Sequence, residues 1–299
     1  MKNLKIHVRK IHKNYTGRFL CLWYYYIQEK YQEMYYSMEH HIGCMDVDVN
    51  NNIKPTELIK CIQETANGQM NARKPSYFEL FWDRKAFIIT RFSMEIYEQI
   101  HQFDDIETRT WTAGTRGATF FRGYEVVRNG RCVARASGDW AVVDTEDGHI
   151  YKTKEIDLSN YESADKPVLS IDEKLRLPKK LEMAGCGTHH VMLSECDMNM
   201  HMNNTQYANM LWNQIDGVLD KEITSFNIRF RAEAKCGSDI MIMRGVPGSR
   251  KAKADDQNPD GLILPDYGDR AADELAVFRT ETGGRTNVEA VFGLRSINK

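Results

Sequence analysis

Residues 196–215 read CDMNMHMNNTQYANMLWNQI, and the organisation of the whole chain follows from this stretch. Asp197, Asn199 and His201 stand two apart, a spacing that in an extended or gently coiled segment sends all three side chains to one side. Asn203 and Asn204 follow with amide side chains suited to capping a helix, and Tyr207, Met210, Leu211 and Ile215 recur at helical spacing. Three polar groups are therefore expected at the mouth of a buried helix. The first turn of a helix carries unpaired N–H groups and the positive end of its dipole, so it can hold a carbonyl oxygen that gains negative charge.

Moving 149 positions toward the N-terminus lays Asp48 on Asp197, Asn50 on Asn199, Asn52 on His201, Leu58 on Tyr207, Cys61 on Met210 and Ile62 on Leu211. Around Asp48 the order is a strand from Tyr35, a helix opened by Pro55 with Leu58, Ile59, Ile62 and Ala66 as its apolar face, then strands over 86–97, 106–113, 118–127 and 132–143. Asn129-Gly130 marks a tight hairpin turn, because both residues accept positive φ. The second copy reads as strand 191–194, helix 205–218, and strands 223–232, 240–246, 275–280 and 287–294, with Gly283-Gly284 turning the last hairpin. A strand, a long helix and several antiparallel strands, given twice, predict an α+β fold of two similar units in which each sheet wraps its helix. Only the second copy has an imidazole, so chemistry is expected in the C-terminal half.

The expected boundaries are an N-terminal extension over 1–37, a first unit over 38–154, a polar linker over 155–181, and a second unit over 182–299. The second unit is interrupted by a Pro-, Gly- and Asp-rich excursion at about 248–273. Phe19 to Ile27 is too short to span a bilayer and lacks a cleavage site, and Met34 and Met38 leave open a start codon placed too far upstream.

Among 299 residues, 42% are hydrophobic and the net charge is −2, enough for real cores and without the basic excess that nucleic acid or an anionic membrane would call for. Seven scattered cysteines with no C-x-x-C suit reduced thiols in a cytoplasm better than a disulfide framework or a zinc site. The pairs His40-His41 and His189-His190 point to opposite faces of a strand and lack partners at ligand spacing, so neither a metal nor another cofactor is expected. Met200, Met202 and Met210 read as core or slot lining.

The motif D-M-N-M-H-M-N-N at 197–204, with Q-E-T-A at 63–66, R-F-S-M-E-I at 91–96 and S-G-D-W at 137–140, resembles the acyl-(acyl carrier protein) thioesterases from about residue 38 onward. The resemblance implies two tandem hotdog domains and hydrolysis of the fatty acyl-carrier thioester that ends fatty-acid synthesis. It implies Asp197, Asn199 and His201 as catalytic residues. The segment Phe230-Arg231-Ala232-Glu233, similar to the family's Tyr-x-x-Glu, adds Glu233 as the remaining carboxylate. Plant members have a cysteine directly after that glutamate; this chain has Ala234 there, and Cys236 is at the wrong spacing to replace it.

Thioester hydrolysis needs an activated water and a polarised carbonyl, while the thiolate leaves readily. Glu233 helped by His201 would take the proton from water, Asn199 would bond the water or the oxyanion, Asp197 would orient a neighbour, and backbone N–H groups near Asn203 and Asn204 would bind substrate. Without the repeat and the resemblance, Asp197 and Asn199 read simply as turn and capping residues, and Glu233 as a solvated carboxylate. Strict alternation after Phe226, Ile228 and Phe230 puts Glu233 on the arginine side, so either that face turns toward the site or a bulge after Arg231 resets the register. An acidic carrier protein is the expected partner, and Lys174–Lys180 a local basic face for it. Acyl-coenzyme A hydrolysis and a non-catalytic acyl-binding role are the alternatives. Oligomeric state stays open, a homodimer included, as does chain-length preference.

Overall fold

Helix α1 (Pro55–Ala72) starts where Pro55 supplies a φ already suited to the first helical turn, and it buries Leu58, Ile59, Ile62, Ala66 and Met70 along one face. The structure is a computed structural model that describes residues 34–164, 169, 177, 181–245 and 272–297. Around α1 run β1 (Tyr36–His41), β2 (Lys85–Ile96), β3 (Asp105–Arg116), β4 (Thr119–Arg128) and β5 (Arg131–Asp144). The second set is β6 (Met183–His190), β7 (Lys221–Phe230), β8 (Asp239–Gly245), β9 (Glu274–Thr282) and β10 (Arg285–Ser296), with a short helix, here α3 (Gln206–Trp212), between β6 and β7. Helix α2 (Tyr77–Trp82) lies between α1 and β2.

All ten strands form one sheet in the order β1-β3-β4-β5-β2-β7-β10-β9-β8-β6. The second five repeat the first in reverse, so the repeat read from sequence is a repeat in space. The halves meet where β2 pairs antiparallel with β7, in the register Arg91 to Arg229, Ser93 to Asn227 and Glu95 to Ser225. A local dyad passes between Ser93 and Asn227. Across this seam the inward side chains form one core: Phe226 stacks on Phe92 at 6.0 Å and lies 5.9 Å from Phe292, all three almost fully buried.

Three expectations change. The second helix is seven residues long rather than reaching 218. After Trp212 the N–H groups of Gln214 and Ile215 bond three residues back, and Gly217 takes φ 61°, because Asn213, Asp216 and Gly217 favour turns over helix. Residues 193–195 form a single 3-10 turn, and the strand precedes them as β6. An edge strand reading MAGCGTHH has too few β-branched or aromatic residues to announce itself. Helix α2, absent from the sequence reading, is held by a capping box between Ser76 and Glu79.

In the linker region, Gln69 donates to Glu162 at 2.7 Å, Tyr161 donates to the Pro75 carbonyl at 2.6 Å, and Leu177 packs on Val277 and Val291. Residues 1–33, the lysines and arginine of the basic run 174–180, and the excursion apart from Ala272 and Asp273 lie outside the described residues.

Candidate active site

The loop carrying the motif is a tight turn rather than an extended run. Asp197 Oδ1 accepts the backbone N–H of Asn199 at 2.8 Å and of His201 at 3.3 Å. Its own N–H donates to the His201 carbonyl at 2.8 Å, and Met200 takes φ 62° to close the turn. An aspartate suits this position because a short carboxylate can accept two nearby backbone donors at once. Asp197 is therefore turned into its own loop, while Asn199 is exposed and His201 half-buried at the rim.

The first copy is built with the same bonds. Asp48 Oδ1 accepts from Asn50 and Asn52 N–H, both at 2.9 Å. Asp48 N–H donates to the Asn52 carbonyl at 2.8 Å, and Asn51 has φ 62°. The bridge Val47–Ile53 matches Cys196–Met202 at the same offset.

The second arm comes from β7, which ends at Phe230. Beyond it the N–H groups of Arg231 and Ala232 share the Asn287 carbonyl at 2.8 and 3.3 Å, and Asn287 Nδ2 reaches the carbonyls of Ala232 and Glu233, both at 3.4 Å. The chain then pairs with the motif loop: Met202 N–H donates to the Ala234 carbonyl at 2.8 Å and Cys236 N–H to the Met200 carbonyl at 2.9 Å. Strand parity lapses at Arg231, and the conflict over the facing of Glu233 goes with it. Glu233 Oε2 lies 3.2 Å from His201 Nδ1, with the imidazole 23% and the carboxylate 67% exposed.

In the first copy Ile53 N–H donates to the Ile100 carbonyl at 2.8 Å, just as Met202 does to Ala234. Gln99 is thereby the counterpart of Glu233, and Asn52 that of His201. Both titratable groups of the second copy are neutral amides in the first. Gln99 and a further amide, Asn50, tie the halves together: Gln99 Nε2 donates to the Ile223 carbonyl at 2.9 Å and Asn50 Nδ2 to the Leu219 carbonyl at 2.8 Å. The cleft beside them, lined by Asp48, Asn52, Gln99 and Trp212 among others, has a volume of about 20 Å³, the size of one water.

The helix tip is more fully occupied than the sequence reading expects. Asn203 Oδ1 accepts from both Thr205 N–H and Thr205 Oγ1 at 2.9 Å, the N–H groups of Asn203 and Gln206 are bonded within the loop, and Thr56 Oγ1 donates to the Thr205 carbonyl at 2.8 Å. Asn203 thus shapes the approach to α3, whose cap position, Thr205, has no side-chain cap; Asn204 is half-buried. By its spacing alone Tyr207 is one more residue of the apolar helix face. It is buried, packs edge-on to Phe230 at 6.1 Å, and its hydroxyl has no partner among the described residues. Burial, and then the nearby Glu233 charge, push its phenol up, so it stays a neutral donor. The signal in the sequence was tyrosine where the first copy has Leu58.

Burial first, and then a hydrogen bond with Cys236, push the Cys196 thiol up, which makes it a poor nucleophile. Among the described residues no cluster of three or more His, Cys, Asp or Glu could hold a metal ion, and no helix is long and apolar enough to cross a membrane.

The family model for the acyl-ACP thioesterase N-terminal domain matches residues 33–157, and that for the acyl-ACP thioesterase C-terminal domain matches residues 179–273. The fold is similar to an acyl-ACP thioesterase from Bacteroides thetaiotaomicron, with a TM-score of 0.73 at 14% identity over 88% of this chain and 99% of that one. It is also similar to a 12:0-ACP thioesterase from Umbellularia californica, with a TM-score of 0.68 at 15% identity over 88% and 98% of the two chains. At such identities the likeness speaks to the fold alone. Among curated proteins no sequence relative matches.

Proposed function

Since the chain belongs to the acyl-ACP thioesterase family of tandem hotdog hydrolases, we propose that it hydrolyses fatty acyl-carrier thioesters with His201 and Glu233 as its working pair. The observation that carries this reading is the 3.2 Å contact between His201 Nδ1 and Glu233 Oε2. At that distance a small turn of either side chain gives Nδ1–H to the carboxylate, which leaves Nε2 as a lone-pair acceptor, the tautomer a general base needs. Nε2 takes a proton from water, and the hydroxide oxygen adds to the thioester carbonyl carbon. The tetrahedral adduct then expels the thiolate as the C–S bond breaks, and the imidazolium returns the proton to sulfur. Glu233 holds the ring and stabilises its positive charge.

Asn199, exposed on the loop, offers an amide to the developing oxyanion, and Tyr207 offers a buried hydroxyl close enough to Glu233 to feel its charge. Asp197 and Asn203 act through the loop they shape, and Asn204 completes the substrate side of the helix tip. The carrier protein is the proposed partner. A cytoplasmic setting is supported by six cysteines that are free among the described residues.

The test is thiol release from purified protein given acyl-carrier and acyl-coenzyme A thioesters. Faster turnover of the carrier substrate is expected. Release no higher than a blank would end the hydrolytic reading, and equal rates would end the carrier preference.

The paired loops supply an internal control. Asp48→Ala and Asp197→Ala each remove an acceptor from two backbone donors, costing about 2 kcal/mol of stability. Asp197→Ala is expected to lower kcat at least roughly tenfold, because a misplacement of about 1 Å at a reacting group costs that and more, whereas Asp48→Ala leaves kcat nearly unchanged. Denaturation curves and steady-state rates on both variants check this; equal loss of rate in the two would detach the effect from the site.

A further inference from the structure

The outer face of the sheet holds a recess of about 500 Å³ at the seam, lined by Thr90, Arg91, Arg116, Thr119, Phe121, Asp139, Arg229, Phe230 and Arg231. Four arginines face a single aspartate there. Arg91 pairs with Asp139 at 3.2 Å; Glu289, itself buried, is shared by Arg229 at 3.6 Å, Arg231 at 3.6 Å and Arg279 at 3.4 Å. The carboxylates are thus outnumbered by the guanidinium groups around them. Arg91 and Arg229 stand directly opposite each other on neighbouring strands, a placement of like charges that Asp139 and Glu289 offset in part.

The local dyad makes the feature more specific. The register that sets Arg91 against Arg229 sets Glu95 against Ser225 on the other side of Ser93 and Asn227. Following the same offset that matches Gln99 to Glu233, Arg229 corresponds to Glu95 and Arg231 to Tyr97. The two ends of one pseudo-symmetric seam therefore differ in charge, and they differ in the same sense as the loops differ in chemistry. Positive charge is concentrated at the end where β7 runs into Glu233, and the end beside the neutral amides carries a glutamate instead.

We propose that this recess binds the phosphate of the substrate's 4′-phosphopantetheine arm, an inference that rests on the thioesterase reading above. Guanidinium groups present pairs of N–H donors matched to phosphate oxygens and stay charged at any working pH. Thr119 adds a hydroxyl to the lining, while the Thr90 hydroxyl is already given to the Asp139 carbonyl at 3.1 Å. Arg231 is two residues from Glu233, so an arm anchored here leads toward the reactive pair along the same strand end.

Three substrates decide it: an acyl-N-acetylcysteamine thioester, which has no phosphate, the acyl-phosphopantetheine thioester, and the acyl-carrier thioester. Arg229→Gln with Arg231→Gln is expected to raise KM for the two phosphate-bearing substrates about tenfold, the loss of one charge-assisted hydrogen bond, and to leave KM for the phosphate-free one unchanged. Because that pair also relieves Glu289 of partners, Arg116→Gln, outside the three arginines that share Glu289, is the second variant, with a smaller shift of the same pattern. Inorganic phosphate is expected to inhibit the wild type competitively and both variants less. A KM rise shared by all three substrates, a rise confined to the carrier substrate, or undiminished phosphate inhibition would each overturn the proposal. Calorimetric titration of the wild type and variants with inorganic phosphate reads the recess without turnover, so a protein that releases no thiol fails the hydrolytic reading and still tests this one.

Discussion

Glu233→Gln lowers kcat on the acyl-carrier substrate by about 10²- to 10⁴-fold, the range lost when a proton transfer goes unassisted, and leaves the unfolding midpoint where it was. Both halves of this expected result rest on the proposed pairing of Glu233 with His201. The carboxylate is 67% exposed and meets His201 Nδ1 at 3.2 Å, so little packing or desolvation is at stake when it becomes an amide. Glutamine also keeps the length and shape of the side chain but can present an N–H to Nδ1, which moves the ring proton to Nε2 and removes the lone pair that accepts from water. Loss of the correct tautomer is enough to disable a histidine base even when its geometry is intact. Rates measured with unchanged circular dichroism and midpoint check the expectation. A variant retaining more than about a tenth of the wild-type kcat would remove Glu233 from the mechanism.

Phe226→Ala carries the largest expected loss of stability, about 3–5 kcal/mol. Phe226 is 1% exposed and sits on β7 at the seam, between Phe92 of the first half and Phe292 of the second. Truncation removes contacts to both neighbours and leaves a cavity that the paired strands cannot close without losing their register. Urea unfolding reports this as a lower midpoint at similar slope. A loss below about 1 kcal/mol would mean that the seam repacks freely and that the halves are joined chiefly by their backbone bonds.

The architecture was legible because its evidence is local and given twice. Asp48 and Asp197 make the same turn with the same donors, and the offset between them is visible in the residues themselves. Asn129-Gly130 turns its hairpin with φ 52° and 74°, as an Asn-Gly pair predicts. What was illegible depended on distant partners or on weak local preference. The facing of Glu233 is set by Asn287 of β10, which draws Arg231 and Ala232 out of strand geometry, and nothing near residue 233 announces that. β6 is glycine-rich and lies at the sheet edge, so alternation was faint. The ends of α3 follow from turn-forming residues after Trp212 that apolar spacing alone did not weigh. For α2 a signal existed in Ser76 and Glu79, and the aromatic residues between and after them obscured it.

The amides at Asn52 and Gln99 bear on stoichiometry under the proposed assignment of His201 and Glu233. Two equal units joined by a dyad would hold two equivalent clefts, as a symmetric dimer of single units does. Here one cleft has the size of a water and the amides Gln99 and Asn50 bond across to the second half, so with His201 and Glu233 as the proposed pair each polypeptide is expected to turn over one acyl chain at a time. An active-site count on the purified protein therefore saturates at one equivalent per chain, whatever assembly the chains form.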